Sequence, residues 1–215
     1  MTARPWARPV ATALTSVGAV VVFLIFSGQV FETEVLHLDT AGRAWAAAHR
    51  SPAADRFFRA VTALAATRVM LTICLLAALS LWIRGVRRAA VPLALAVVIA
   101  PLTTRTIKPS FARLRPGYVD DGGRSFSFPS GHTTIATAVA LTVAYVMMRE
   151  RAAPRLAPVI AALFVIAVGA SRVYLAEHWP TDVMGGMAIG TAIAAACATV
   201  YEIARLRVQN RPPDA

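Results

Sequence analysis

In the stretch HWPTD, three residues separate His178 from Asp182. Pro180 suits the first position of a helix, which puts Asp182 in the first turn, where the helix dipole favours an acid. From there a carboxylate can reach back to the ring N–H of His178. It would fix the tautomer and raise the basicity of the imidazole, the logic of a catalytic triad. A second imidazole, His132, stands in FPSGHTT just ahead of an apolar run. Ser130 occupies the N-cap position there, and the backbone N–H groups after it form a ready anion site. Gly131 carries no side chain to keep an anion from that backbone. Lys108, Arg115 and Arg172 add fixed positive charge, and guanidinium forks match phosphate oxygens in a bidentate way. Two imidazoles, three cations and a helix N-terminus describe a pocket for moving a phosphoryl group.

The elements that must position these groups are apolar. Of the 215 residues, 57% are hydrophobic and 15% charged, against about 25% charged in a soluble domain. Six runs, roughly 10–31, 58–83, 89–106, 131–148, 154–172 and 181–204, approach the ~20 residues a helix needs to cross a bilayer. The expected fold is therefore all-α: a single domain over 1–215, a bundle of six transmembrane helices with an interfacial helix in the first outer loop, around 32–57. His37 and His49 fall in that loop and read as exposed or interfacial.

The formal net charge of +11 would suggest nucleic acid in a soluble protein. Here arginines of cytoplasmic loops account for it, and no nucleic-acid partner is expected. Arg4 and Arg8, Arg84, Arg87 and Arg88, Arg149, Arg151 and Arg155, and Arg205, Arg207 and Arg211 share one side of a six-span chain. That side is read as cytoplasmic, with both termini on it. The motifs then face the extracytoplasmic side, together with most of the acids: Glu32, Glu34, Asp39, Asp55, Asp120, Asp121 and Glu177. Lys108 is the sole lysine, an Arg bias that fits a GC-rich bacterial genome. Arg68 falls inside the second run, where a charge should face the bundle or snorkel. Cys74 and Cys197 read as packing residues, and no cleavable signal peptide is evident.

Lys108-x6-Arg115-Pro116, Pro129-Ser130-Gly131-His132 and Ser171-Arg172-x5-His178-x3-Asp182 occur in this order. They resemble the three-part signature of the type 2 phosphatidic-acid phosphatase superfamily, with every signature residue present. The resemblance implies that His178 is a nucleophile forming a phosphohistidine, that Asp182 orients it, and that His132 protonates the leaving oxygen and then activates water. It implies that Lys108, Arg115, Ser130, Gly131 and Arg172 hold phosphate, with no metal and no cofactor. The implied substrate is a lipid mono- or diphosphate in the bilayer: a polyprenyl diphosphate, phosphatidylglycerophosphate or phosphatidic acid. No obligatory protein partner is evident. Arg105, Arg113 and Arg124 could hold a second phosphate or anchor headgroups. Two other classes compete. A vanadium haloperoxidase shares the anion pocket but is soluble and much longer. A non-enzymatic lipid-binding or transport protein on the same fold should have lost catalytic positions, whereas His132, His178 and Asp182 all stand.

Overall fold

A computed structural model describes residues 5–32, 36–116 and 126–210. Arg4, Glu34, Asp120, Asp121, Arg124 and Arg211, used above, lie outside them. The described residues form helices and connecting turns: α1 (Ala7–Phe31), α2 (His37–Ala48), α3 (Pro52–Leu64), α4 (Thr67–Ile83), α5 (Ala90–Phe111), α6 (Gly131–Arg149), α7 (Ala157–Tyr174) and α8 (Pro180–Gln209). A 3₁₀ turn, Arg87–Ala89, leads into α5. Helices α1, α5 with its leading turn, α6, α7 and α8 are each long and apolar enough to cross a membrane. Large apolar side chains such as Leu14, Leu24, Leu75, Ile83, Leu163 and Ile166 are exposed on the outside of the bundle, as a lipid-facing surface requires.

The second run is the one that differs from expectation. It forms α3 and α4, bent by 50° at Ala65-Ala66. Ala65 is buried with Ala136 and Val168, and Ala66 is extended (ψ 141). Packing sets the break, since neither residue is a helix breaker. Arg68 consequently sits exposed in the first turn of α4, at a corner of the chain and not midway along a straight span. The third run also yields a helix longer than expected, α5. Pro101 and Pro109 are accommodated inside α5, which ends only where Ala112 turns left-handed (φ 46). Lys108 therefore lies in the last helical turn, where a cation is favoured by the dipole. The connection after the first span holds α2 and the start of α3, and α2 packs against α7 and α8. His37 and His49 are exposed, while Cys74 and Cys197 are buried in one core cluster.

Helices α6 and α8 are the most buried of the spans, and they pack closely against each other. Hydrocarbon gives no hydrophobic drive between spans, so close approach of small residues has to supply the attraction. A Cβ on Gly186 would stand 2.8 Å from the Ser130 carbonyl oxygen, and one on Gly190 would stand 2.6 Å from Thr137 Cβ. On the facing helix, the hydroxyls of Thr134, Thr137 and Thr142 donate to carbonyls one turn back. Buried threonines thus carry no unmet donor into the core. This contact brings the first turns of α6 and α8 side by side, and the Ser130 N–H donates to the Asp182 carbonyl oxygen at 3.0 Å.

Gly190→Val should force these two helices apart, because the Thr134 carbonyl it would meet is backbone. The expected cost is about 1–3 kcal/mol, read as a melting temperature several degrees lower in detergent. Gly18→Val, with open space around the added Cβ, should leave melting unchanged. Equal melting of the two variants would contradict the account of the core.

Candidate active site

Where α5 ends and α6 begins, a cavity of about 180 Å³ opens at one end of the bundle. Lys108 and Arg105 of α5, Arg115, Gly131 and His132 of α6, and His178 line it together, with Thr104 and Thr67 in its walls. Both imidazoles singled out in the sequence thus face one space with three cations. A larger, mostly apolar cavity of about 280 Å³ reaches His178 from another side, between Arg43, Tyr174 and Trp179. The smaller one is the better reaction site, because it alone joins the imidazole pair to the positive charge.

His178 is placed by the turn after α7. Ala176 is left-handed (φ 56), and the N–H groups of Glu177 and His178 both donate to the Arg172 carbonyl. His178 is almost fully buried and Asp182 wholly so. The His178 Nδ1 lies 3.3 Å from Asp182 Oδ2, a long contact of the kind that tightens around a bound substrate. With Nδ1–H donating to the carboxylate, Nε2 keeps its lone pair. Burial pushes the His178 pKa down to about 3 against the upward pull of Asp182. Burial thus favours the neutral ring.

Asp182 is itself held on every side. Its Oδ2 accepts the Trp179 N–H at 2.9 Å, capping α8. Its Oδ1 accepts from Arg113 Nη1 at 2.7 Å. The other terminal nitrogen of Arg113 donates to Asp39 Oδ2 at 2.6 Å. Asp39, fully buried on α2, also accepts the N–H and the hydroxyl of Thr181. Arg113 lies over the Trp179 ring as well, 5.6 Å from its centroid. In this structure its guanidinium serves carboxylates and does not point to a second phosphate. Arg105 is the one of the three additional arginines named above that lines the cavity; Arg124 lies outside the described residues.

The expected phosphate-holding residues divide into two groups. Lys108, Arg115 and Gly131 line the cavity. A Cβ on Gly131 would find nothing nearer than Thr104 Oγ1 at 3.8 Å, so the approach to the α6 N-terminus is open. Lys108 Nζ donates to the Phe126 carbonyl at 2.7 Å, which holds the ammonium at the rim. Ser130 is fully buried, makes no side-chain cap, and accepts from the Thr133 hydroxyl at 2.9 Å. The first turn of α6 is thus left without a side-chain cap. Arg172, at the end of α7, donates to Thr62 at 2.9 Å, and its buried Nε has no hydrogen-bond partner. That is an unmet donor of the kind a phosphate oxygen would satisfy. Glu177, one of the acids on the side of the motifs, joins the site through ion pairs. Its Oε2 lies 2.6 Å from Arg115 and 3.3 Å from Arg172, so two arginines converge on one anionic group.

The PAP2 superfamily model matches residues 89–205, and the chain belongs to that family. A phosphatidylglycerophosphatase B of Bacillus subtilis is 35% identical over 94 residues, 41% of this chain and 46% of that protein. A putative undecaprenyl-diphosphatase of Escherichia coli is 30% identical over 131 residues, 56% of this chain and 63% of that protein. The chain spans about half to just under two thirds of the length of these relatives. The crystal structure of a transmembrane PAP2-type phosphatidylglycerolphosphate phosphatase from Bacillus subtilis superposes with a TM-score of 0.73 at 24% identity, covering 94% of this chain and 99% of that one. LpxE of Aquifex aeolicus gives 0.60 at 24% identity, covering 76% and 96%. At that identity the likeness is one of fold.

Arg113 is best tested by charge-conserving replacement, since Arg113→Ala would strand two buried carboxylates at a cost of about 3–5 kcal/mol. Arg113→Lys keeps the charge but cannot span both acids with a rigid fork. It should lower kcat roughly 10- to 100-fold by loosening the His178–Asp182 geometry, with KM little changed. Asp39→Asn should do the same. A raised KM at unchanged kcat would instead assign Arg113 to phosphate binding.

Proposed function

We propose that this protein is a membrane lipid phosphatase. It removes the terminal phosphate of a lipid mono- or diphosphate through a phosphohistidine on His178, without a metal ion. The observation that carries the reading is the shared cavity, where a neutral imidazole oriented by Asp182 faces His132 and a set of cations. Nε2 of His178 attacks phosphorus; the N–P bond forms as the P–O bond to the lipid breaks. His132, entering as the imidazolium beside the bound phosphate anion, gives its proton to the departing oxygen and is left neutral. It then takes one from water, whose oxygen attacks phosphorus and frees His178 and phosphate. Lys108, Arg115, Arg172 and the α6 N-terminus stabilise charge on the transferring group, the task a metal performs elsewhere.

The lipid nature of the substrate is supported by the apolar helices around the cavity and by the lipid phosphatases among the relatives. Arg105, which lines the cavity, could hold a second phosphate of a diphosphate. The cavity opens on the extracytoplasmic side and both termini are cytoplasmic, a topology supported by Arg8 at the start of α1, Arg149 at the end of α6, Arg151 and Arg155 in the turn that follows, and Arg205 and Arg207 near the end of α8. In this topology α2 lies along the outer membrane interface.

The decisive assay is phosphate release in detergent from polyprenyl diphosphate, phosphatidylglycerophosphate and phosphatidic acid. Release from at least one of them should persist in excess EDTA and stop with vanadate. No release from any of the three would overturn the lipid-phosphatase reading. Activity lost to chelator and restored by Mg²⁺ would overturn the metal-free step alone.

A further inference from the structure

At the other end of the bundle, away from the catalytic cavity, a wide cavity of about 1230 Å³ is lined by Arg8, Arg149, Arg151 and Arg155 with Tyr145 and Thr12. Among the described residues, no carboxylate lines it. One of the four charges is already answered, because Arg149 Nε donates to the buried Glu202 at 2.6 Å. The nearby Glu150 is paired with Arg88, also at 2.6 Å. Arg8, Arg151 and Arg155 are exposed, with no ion pair to a carboxylate among the described residues. Arg151 is held in a left-handed turn (φ 54) closed by the Ala152 N–H on the Met147 carbonyl at 2.8 Å. The chain therefore presents this arginine from a fixed position.

The charge does not stand alone. Thr12 and Tyr145 also line an apolar groove of about 280 Å³, walled by Leu141, Ala144, Ala194, Ala195 and Ala198. The alanines of α8 leave a channel that larger side chains would fill. It runs from the cationic mouth along α1 and α6. A free anion has no use for such a channel, and a neutral lipid has none for three unanswered arginines. Both features together fit an amphiphile with an anionic head.

We propose that this end of the bundle binds an anionic phospholipid, with its head phosphate on Arg8, Arg151 and Arg155 and one acyl chain in the groove between α1, α6 and α8. This site is separate from the catalytic one and does not depend on the reaction assigned there.

Native mass spectrometry of the full chain in detergent, titrated with phosphatidylglycerol or with phosphatidylcholine of the same acyl chains, tests it. The unmodified chain should retain one phosphatidylglycerol in clear preference to phosphatidylcholine. The R151A/R155A variant, altered only at exposed side chains, should bind phosphatidylglycerol about 10- to 30-fold more weakly. Glycerol phosphate, which has the anionic head and no tail, should fail to displace the lipid at equal concentration. Equal retention of both lipids, no effect of R151A/R155A, or displacement by glycerol phosphate would each overturn the proposal. So would retention lost in Lys108→Ala but kept in R151A/R155A, because the lipid would then occupy the catalytic cavity.

Discussion

A guanidinium clamped between two fully buried carboxylates is the interaction on which the candidate site rests. Removing carboxylates from water costs several kcal/mol each unless geometry and hydrogen bonding repay it. Arg113 meets that demand for Asp39 and Asp182 together, at 2.6 and 2.7 Å. Because Asp39 also takes the N–H and hydroxyl of Thr181, the clamp ties α2, the chain after α5 and the first turn of α8 into one unit. Asp182 is left with no rotational freedom. Of its partners, His178 is the one on the cavity, so the orientation of that ring follows from contacts that lie behind it.

The second requirement is that His132 stand on the same space, and this falls to the glycines of α8. A side chain at Gly186 would push against the Ser130 carbonyl. Without one, the first turn of α8 lies against the first turn of α6, which brings His132 at the start of α6 to the same space as His178 in the turn just before α8. Gly185 serves the same contact from one side, where an added Cβ would lie 2.5 Å from the Phe128 ring. Phe128 in turn packs with Phe23 of α1 and Phe111 of α5. Aromatic packing behind the site and backbone contact beneath it leave little play in the distance between the proposed nucleophile and acid.

Much of this was legible in the sequence because it is local. The i, i+4 spacing of His178 and Asp182, the helix start at Pro180 and the glycine after Ser130 each announce a geometry within a few residues. The apolar runs gave the spans to within a few residues at most ends. Features that depend on distant partners were not legible. Arg113 stands 74 residues from Asp39, and no pattern near either one signals the pairing. The break at Ala65-Ala66 uses two good helix formers, so Arg68 read as a mid-span charge. Ala176 takes a left-handed turn without the glycine that usually marks one, and the convergence of Arg115 and Arg172 on Glu177 was hidden with it. Ser130 was recognised as a cap by position, whereas its hydroxyl is used by Thr133.

If His178 carries the phosphoryl group during turnover, mixing the protein with a substrate labelled in its terminal phosphate, quenching in base, where a phosphohistidine survives, and mapping the label by mass spectrometry will find it there. Label is expected on the peptide containing His178 and should be absent in His178→Gln. Label on His132, or phosphate release in the same sample with no trapped intermediate on any residue, would contradict it.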